Sequence, residues 1–232
     1  MKKASVRRSH LPRREHEPLE PRKSPVQARS AASVDALLEA TVQVLLRVGK
    51  ERLTTTKVAS RAGVSVGTLY QYFPNKRGLL QAVLKQHMEE VAGAVERVCR
   101  EQKGNTLAQM ATALVGAFLD AKMRDVKTSV ALYSVSSDVD GAKIIQRMSE
   151  RMHRALVAML GTSREPLRTD PRVASFMLQG AMAGVSRRLL ESDAPENLLD
   201  SLRRELIFLV CAYLEACAAR SVHSDLAGAP AA

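Results

Sequence analysis

Residues 54–76 read TTTKVASRAGVSVGTLYQYFPNK, and this stretch decides the fold. Thr54 or Thr55 can cap a short helix carrying Val58, Ala59 and Ala62. Ala59 is small at a point where two helices must approach closely. Gly63 supplies the left-handed residue that ends that helix and turns the chain. Val64 can plug the turn, and Ser65 caps a second short helix, Val66 to Tyr72, whose Leu69 faces inward. Pro74 stops it, and Asn75 caps the helix that follows. Two short helices joined by a glycine-containing turn of this length form a helix-turn-helix.

The second helix is then the reading element, its start presented to the major groove of double-stranded DNA. It is expected to expose Val66, Gly67, Thr68, Tyr70, Gln71 and Tyr72, with no acidic residue among them. Thr68 and Gln71 can hydrogen-bond base edges or phosphates, and Val66 and the Thr68 methyl can touch thymine methyls. Gly67 lets the backbone come close. Tyr70 and Tyr72 can hydrogen-bond phosphates, Lys76 can pair with one, and Phe73 packs against the next helix. Thr54, Thr55 and Ser65 complete the candidate DNA-binding set.

Outward from this segment the pattern is helical throughout. A helix from Ser30 to about Val48 carries Val34, Leu37, Leu38, Thr41, Val42, Leu45 and Leu46 at helical spacing and stops at Gly49. A long helix follows Asn75, with Leu79, Leu80, Val83, Leu84, Met88, Val91 and Val95 on one face. Helices over 107–122, 127–135 and 140–160 come next, punctuated by Gly104 and Gly161. Asp170-Pro171 opens a helix to about Leu190, and Asp193 with Pro195 introduces a last one over 196–219. No segment alternates as a strand does, so the fold class is all-α. The organisation expected is a disordered basic arm over 1–29, a DNA-binding domain over 30–76, a second helical domain over 77–220, and a flexible tail over 221–232.

Charge is distributed unevenly along the chain, whose formal net charge is +11. Residues 1–29 hold nine Lys/Arg against three Glu, and residues 30–90 eight basic against five acidic. The remaining 142 residues are close to neutral. A basic end on a nearly neutral body suits a polyanion partner, although a solvated tail has the same composition. Aromatics are 3% of the residues and Trp is absent, so Ala, Leu, Val and Met must fill the core. Cys99, Cys211 and Cys217 lack a C-x-x-C spacing, which points to a reducing, cytoplasmic setting and inert buried thiols rather than an oxidant sensor. No apolar run reaches membrane-spanning length, and the charged, Pro-rich start is not a signal peptide. No metal cluster, phosphate loop or catalytic constellation can be argued from spacing, so neither a cofactor nor an enzyme is expected.

Residues 30–85 resemble the DNA-binding domain of the TetR family of regulators. The run Val58-Ala59, Ala62-Gly63-Val64-Ser65, Gly67-Thr68-Leu69-Tyr70, Tyr72-Phe73-Pro74-Asn75-Lys76 and Leu79-Leu80 carries the resemblance. It implies that Thr68, Tyr70, Tyr72 and Lys76 fall on DNA-contacting positions. It also implies a helical C-terminal domain that binds a small effector and dimerises through its last two long helices, with repression released by effector. Lys57 departs from the family pattern, where an acidic residue is commoner. That weakens a capping box without touching DNA reading.

Under that resemblance an effector pocket for a small apolar or amphipathic molecule lies among the middle helices. Met110, Leu114, Phe118, Tyr133, Met148, Met152, Met159, Phe176 and Met177 are its candidate lining. Each Met would equally serve as core filling. Arg187 and Arg188 could meet an anionic group or stand on the surface. The homodimer seam would use Gly180 and Gly184 on one helix and Leu206, Leu209 and Tyr213 on the last. A DNA-binding architectural protein without an effector is the competing reading, and a genuine cavity within 107–190 separates the two.

Overall fold

The computed structural model describes residues 25–218, with side chains from Ser30 onward. Among the described residues there are nine α-helices and no strand longer than an isolated bridge between Leu167 and Ala218. Helix α1 spans Pro25–Arg52, α2 Thr55–Ala62, α3 Val66–Tyr72 and α4 Lys76–Glu101. Next come α5 Leu107–Lys122, α6 Val126–Val135, a short 3-10 turn Ser136–Val139, and α7 Gly141–Leu160. The chain closes with α8 Pro171–Leu190 and α9 Pro195–Cys217.

One expected boundary moves. Helix α1 begins at Pro25 rather than Ser30, so residues 25–29 are helical and not part of a disordered arm. Proline is well suited to a first helical turn because its fixed φ already matches and its missing N–H has no partner to lose there. The rest of the expected arm, 1–24, and the expected tail, 221–232, lie outside the described residues. Gly49, at φ 75°, does break α1 where its sequence suggests, and a last short turn through Arg52 follows the kink.

The caps explain why the short elements form. The Thr54 side chain accepts from the Lys57 amide at 3.3 Å, Ser65 from the Thr68 amide at 3.0 Å, and Asn75 from the Gly78 amide at 2.8 Å. Gly63, at φ 70°, gives α2 its left-handed terminus. Thr106 and Gln109 form a reciprocal capping box at the start of α5. Leu37, Val58, Ala59, Leu69 and Leu79 are fully buried, so α1, α2, α3 and the start of α4 share one core. Helix α4 then runs on into the second half of the chain, packing on α7 and α5. Helices α8 and α9 lie against one another and against α7 and α5 respectively.

The junction between the reading head and this larger body is polar. Lys50 meets Asp138 at 3.1 Å, Arg77 meets Asp140 at 2.6 Å, and the Gln81 amide donates to the Val139 carbonyl at 3.0 Å. All three acceptors sit on or beside the 3-10 turn, which periodicity does not foretell. Asp140 holds φ 55°, and a Cβ on Gly141 would lie 2.5 Å from the Ser136 carbonyl oxygen. The turn is therefore closed tightly by a left-handed aspartate and by a position where only glycine fits without a shift.

Candidate nucleic-acid interface and effector cavity

Leu69 is the anchor of α3. Its side chain is wholly buried, and this sets the helix's outward face. Gly67, Tyr70 and Gln71 are exposed on that face. Val66, Thr68 and Tyr72 are only half-buried, and Val66, Tyr72 and Phe73 pack on the core, so the expectation that Val66 and Tyr72 stand free is corrected. A helix this short cannot turn nearly all of its positions outward once Leu69 is seated, because neighbours along one face follow it inward.

Hydrogen bonds pre-position the face. The Tyr70 hydroxyl and Thr55 Oγ1 lie 3.1 Å apart, which ties α3 to the start of α2. Ser65 Oγ and Thr68 Oγ1 lie 2.9 Å apart, so Thr68 carries part of the cap. Thr54 is exposed at the opposite cap. Lys76 is half-buried, and its ammonium donates to the Lys50 carbonyl, closing the kinked end of α1. That contact gives Lys76 a packing role beside the phosphate contact expected of it; two further N–H groups of the ammonium remain. An added Cβ on Gly67 would meet nothing closer than Ser65 Oγ at 3.6 Å, so the fold itself does not demand glycine there. Close approach of another backbone or a phosphate would demand it.

Behind this head, α4, α5, α6, α7 and α8 line a cavity of about 320 Å³ that is partly open to solvent. Phe118, Tyr133 and Met152 line it, as their positions suggest. Met110, Leu114 and Met159 do not: all three are fully enclosed in the core and face other helices. Met148 is also buried outside the lining, its sulfur accepting from Arg151 at 3.5 Å. Phe176 and Met177 point the other way, 67% and 55% exposed on the outer face of α8, with Phe176 stacked on His153 at 4.4 Å. Periodicity finds the apolar residues of a helix but cannot say which of several neighbours each one faces.

Sequence reasoning missed Met88, Lys122, Ile145, Ser149, Gln179, Met182 and Ser186 in the lining. One signal was available. Lys122 lies four residues after Phe118, hence on the same face of α5 as that apolar residue. Its nearest polar contact is the Met88 sulfur at 3.6 Å, and burial pushes its ammonium pKa down. His87, behind it, is held neutral: burial first, then the charges of Lys122 and Arg124, lower its pKa to about 4. At the rim Tyr133 donates to Glu191 at 2.6 Å, and Arg187 pairs with the same carboxylate at 2.9 Å. Arg188 is exposed on α8.

Of the expected seam residues, Gly180 and Gly184 lie on the exposed side of α8, and an added Cβ on either would touch nothing within 4 Å. Leu209 is exposed and Tyr213 half-exposed. Leu206 is corrected: at 2% exposure it belongs to the chain's own core, and Phe208, at 71%, is the exposed apolar residue beside Leu209. Cys99 is buried, and its thiol is pushed up to about 12, chiefly by that burial, so it stays protonated and inert.

A capped helix-turn-helix with an exposed polar reading face, joined to a helical body that holds a cavity, defines a DNA-binding transcription regulator. Residues 37–83 match the family described as bacterial regulatory proteins, tetR family. Residues 106–214 match the tetracyclin repressor-like C-terminal domain. Together these cover more than half of the chain, which belongs to the TetR family of transcriptional regulators. The chain is 28% identical over 139 residues to the HTH-type transcriptional regulator BetI of Vibrio parahaemolyticus, spanning 56% of this chain and 70% of that protein. It is 27% identical over 168 residues to the HTH-type transcriptional repressor KstR of Mycolicibacterium smegmatis, spanning 70% and 81%. In fold it is similar to FadR of Bacillus subtilis, solved in complex with stearoyl-CoA, at TM-score 0.58 and 19% identity over 77% of this chain and 97% of that one. No described helix is long and apolar enough to cross a membrane.

Proposed function

We propose that this regulator is a cytoplasmic homodimeric repressor that binds a palindromic operator through α3 and is released when a small apolar or amphipathic effector enters the α4–α8 cavity. The cavity is the observation that carries the reading: about 320 Å³, within the usual range of ligand sites, mostly apolar, with a few inward polar groups. An architectural protein that only coats DNA has no use for it. The ligand-bound FadR of similar fold supports the same reading. Thr55, Tyr70, Gln71, Thr68 and the N-terminal end of α3 supply the DNA contacts, with Thr54, Ser65, Val66, Gly67, Tyr72 and Lys76 shaping or flanking them.

Dimerisation through α8 and α9 is supported by apolar exposure that a monomer does not need. Val173, Phe176, Met177, Gly180 and Gly184 follow one face of α8, and Phe208 and Leu209 stand out from α9. Two copies joined there would offer two reading heads to half-sites one or more DNA turns apart. Domain limits near 76 and 220 suit this division of labour, although α4, which starts at the first of them, packs its opening residues into the reading head's core. The test is selection of bound genomic fragments by the purified protein, with and without metabolite extract. A palindromic site released by extract is expected. Binding without sequence preference, unaltered by extract, returns the architectural reading.

A further inference from the structure

Lys122 is the feature of the cavity that its apolar lining does not explain. It lines the chamber beside Met88, Phe118, Met152 and Met182. Lys122 is half-buried, and an ammonium in such apolar surroundings ordinarily has a carboxylate partner, since taking a lone charge even part of the way out of water is costly. Among the described residues it has none; its one contact is the Met88 thioether at 3.6 Å. Burial alone accounts for its lowered pKa, with no acidic group offsetting it. The lysine is also held from behind. Its backbone carbonyl accepts from Ser129 at the end of α5, and that serine is 3.5 Å from the neutral His87 ring. The backbone that carries the lysine is therefore anchored at the end of α5, and the charge at the side chain's tip is left to the chamber.

We propose that the effector is an apolar monocarboxylate whose carboxylate is bound by Lys122 and whose hydrocarbon body fills the chamber between Phe118, Met152 and Met182. This rests on the cavity being the effector site. The charge count favours a single negative charge. Arg187, the other cation of the lining, is already paired with Glu191 at 2.9 Å, and the Tyr133 hydroxyl is spent on the same carboxylate at 2.6 Å. Ser149 donates to the Gln179 carbonyl at 2.8 Å and Gln179 donates one N–H to Ser175 at 3.3 Å, which leaves a single neutral amide N–H, and no further charge, to meet an anion. A doubly charged phosphate head would find one cation where it needs two. A quaternary ammonium would meet a like charge. The volume, at the low end of ligand sites, selects a compact body.

The test compares three probes of equal length on the full chain by calorimetry at neutral pH: decanoate, 1-decanol and decyl phosphate. Decanoate is expected to bind about 10- to 100-fold more tightly than the alcohol, the range set by one charge-assisted hydrogen bond. It should also bind more tightly than the phosphate. Lys122→Met, which preserves length and apolar volume, should erase the preference for the acid while leaving the alcohol's affinity within a few-fold. The comparison in the wild-type protein needs no variant, so misfolding of Lys122→Met cannot decide the matter. Equal binding of acid and alcohol would overturn the lysine assignment and leave the cavity standing as an effector site. Tighter binding of the phosphate would overturn the single-charge assignment. Binding of none of the three would overturn both this proposal and the effector site on which it rests.

Discussion

Gly141→Ala should loosen the joint between the reading head and the body. The added Cβ would lie 2.5 Å from the Ser136 carbonyl oxygen and 3.0 Å from the Ser136 carbonyl carbon and Cβ. The first of these neighbours is backbone, so no side chain can swing away. Relief to an ordinary 3.4 Å contact requires the 3-10 turn to move by about 0.9 Å. That turn carries or borders Asp138, Val139 and Asp140, the acceptors for Lys50, Gln81 and Arg77. Overpacking of this kind costs about 1–3 kcal/mol. For a chain of this size that is a fall in Tm of about 2–12 °C. The ion pairs themselves are exposed and add little to stability, but they orient α1 and α4 on the body. Operator affinity should therefore weaken together with Tm, while binding in the cavity stays near wild type. The assays are thermal unfolding by circular dichroism and operator titration by fluorescence anisotropy. Gly116→Ala is the control: it lies within α5, a Cβ there meets nothing within 4 Å, and alanine should stabilise by about 0.5–1 kcal/mol. Wild-type Tm and operator affinity for Gly141→Ala would refute the reasoning, as would an equal destabilisation by Gly116→Ala.

Other consequences can be checked separately. Tyr70→Ala should cost about 1–3 kcal/mol of operator binding and much less on unrelated DNA; equal losses on both would mean that α3 is not the reading helix. Deleting residues 1–24, which hold eight Lys/Arg against three Glu, should reduce the salt slope of DNA binding by about 0.9 for each phosphate no longer neutralised, with sequence preference kept; an unaltered slope would exclude a role for the arm. His87 has a folded pKa of about 4 against an ordinary 6.5, so the unfolded chain binds a proton that the folded chain refuses between these values. Stability is full above pH 6.5 and should fall by about 3 kcal/mol as pH drops to 4, a slope that His87→Asn removes; urea unfolding at pH 7 and 4.5 that shows the same loss in both proteins would sink this. If two copies join through α8 and α9 as proposed, Phe208→Glu should leave the protein monomeric in sedimentation without unfolding it, whereas Leu206→Ala should cost about 2–5 kcal/mol of stability; a dimer that survives Phe208→Glu would place the seam elsewhere.

The reading head was legible in the sequence because its determinants are local. A cap bonds to an amide three residues away, as Ser65 does to Thr68, and a left-handed terminus needs only glycine, as at Gly63. The same holds for the all-α class and for most helix ends, which depend on spacing within one segment. The start of α1 at Pro25 is hidden because composition alone makes the segment look too polar to order. What only the tertiary structure decided was which way apolar helix faces look. Met110, Leu114 and Met148 fit a cavity by spacing and are core by packing, Phe176 and Met177 exchange inside for outside, and Leu206 does the reverse. Lys122 gains its significance only when five helices close around it and leave its charge without a partner. Periodicity along one helix states that a face is apolar; whether that face meets protein, a void or solvent depends on contacts between residues far apart in the chain.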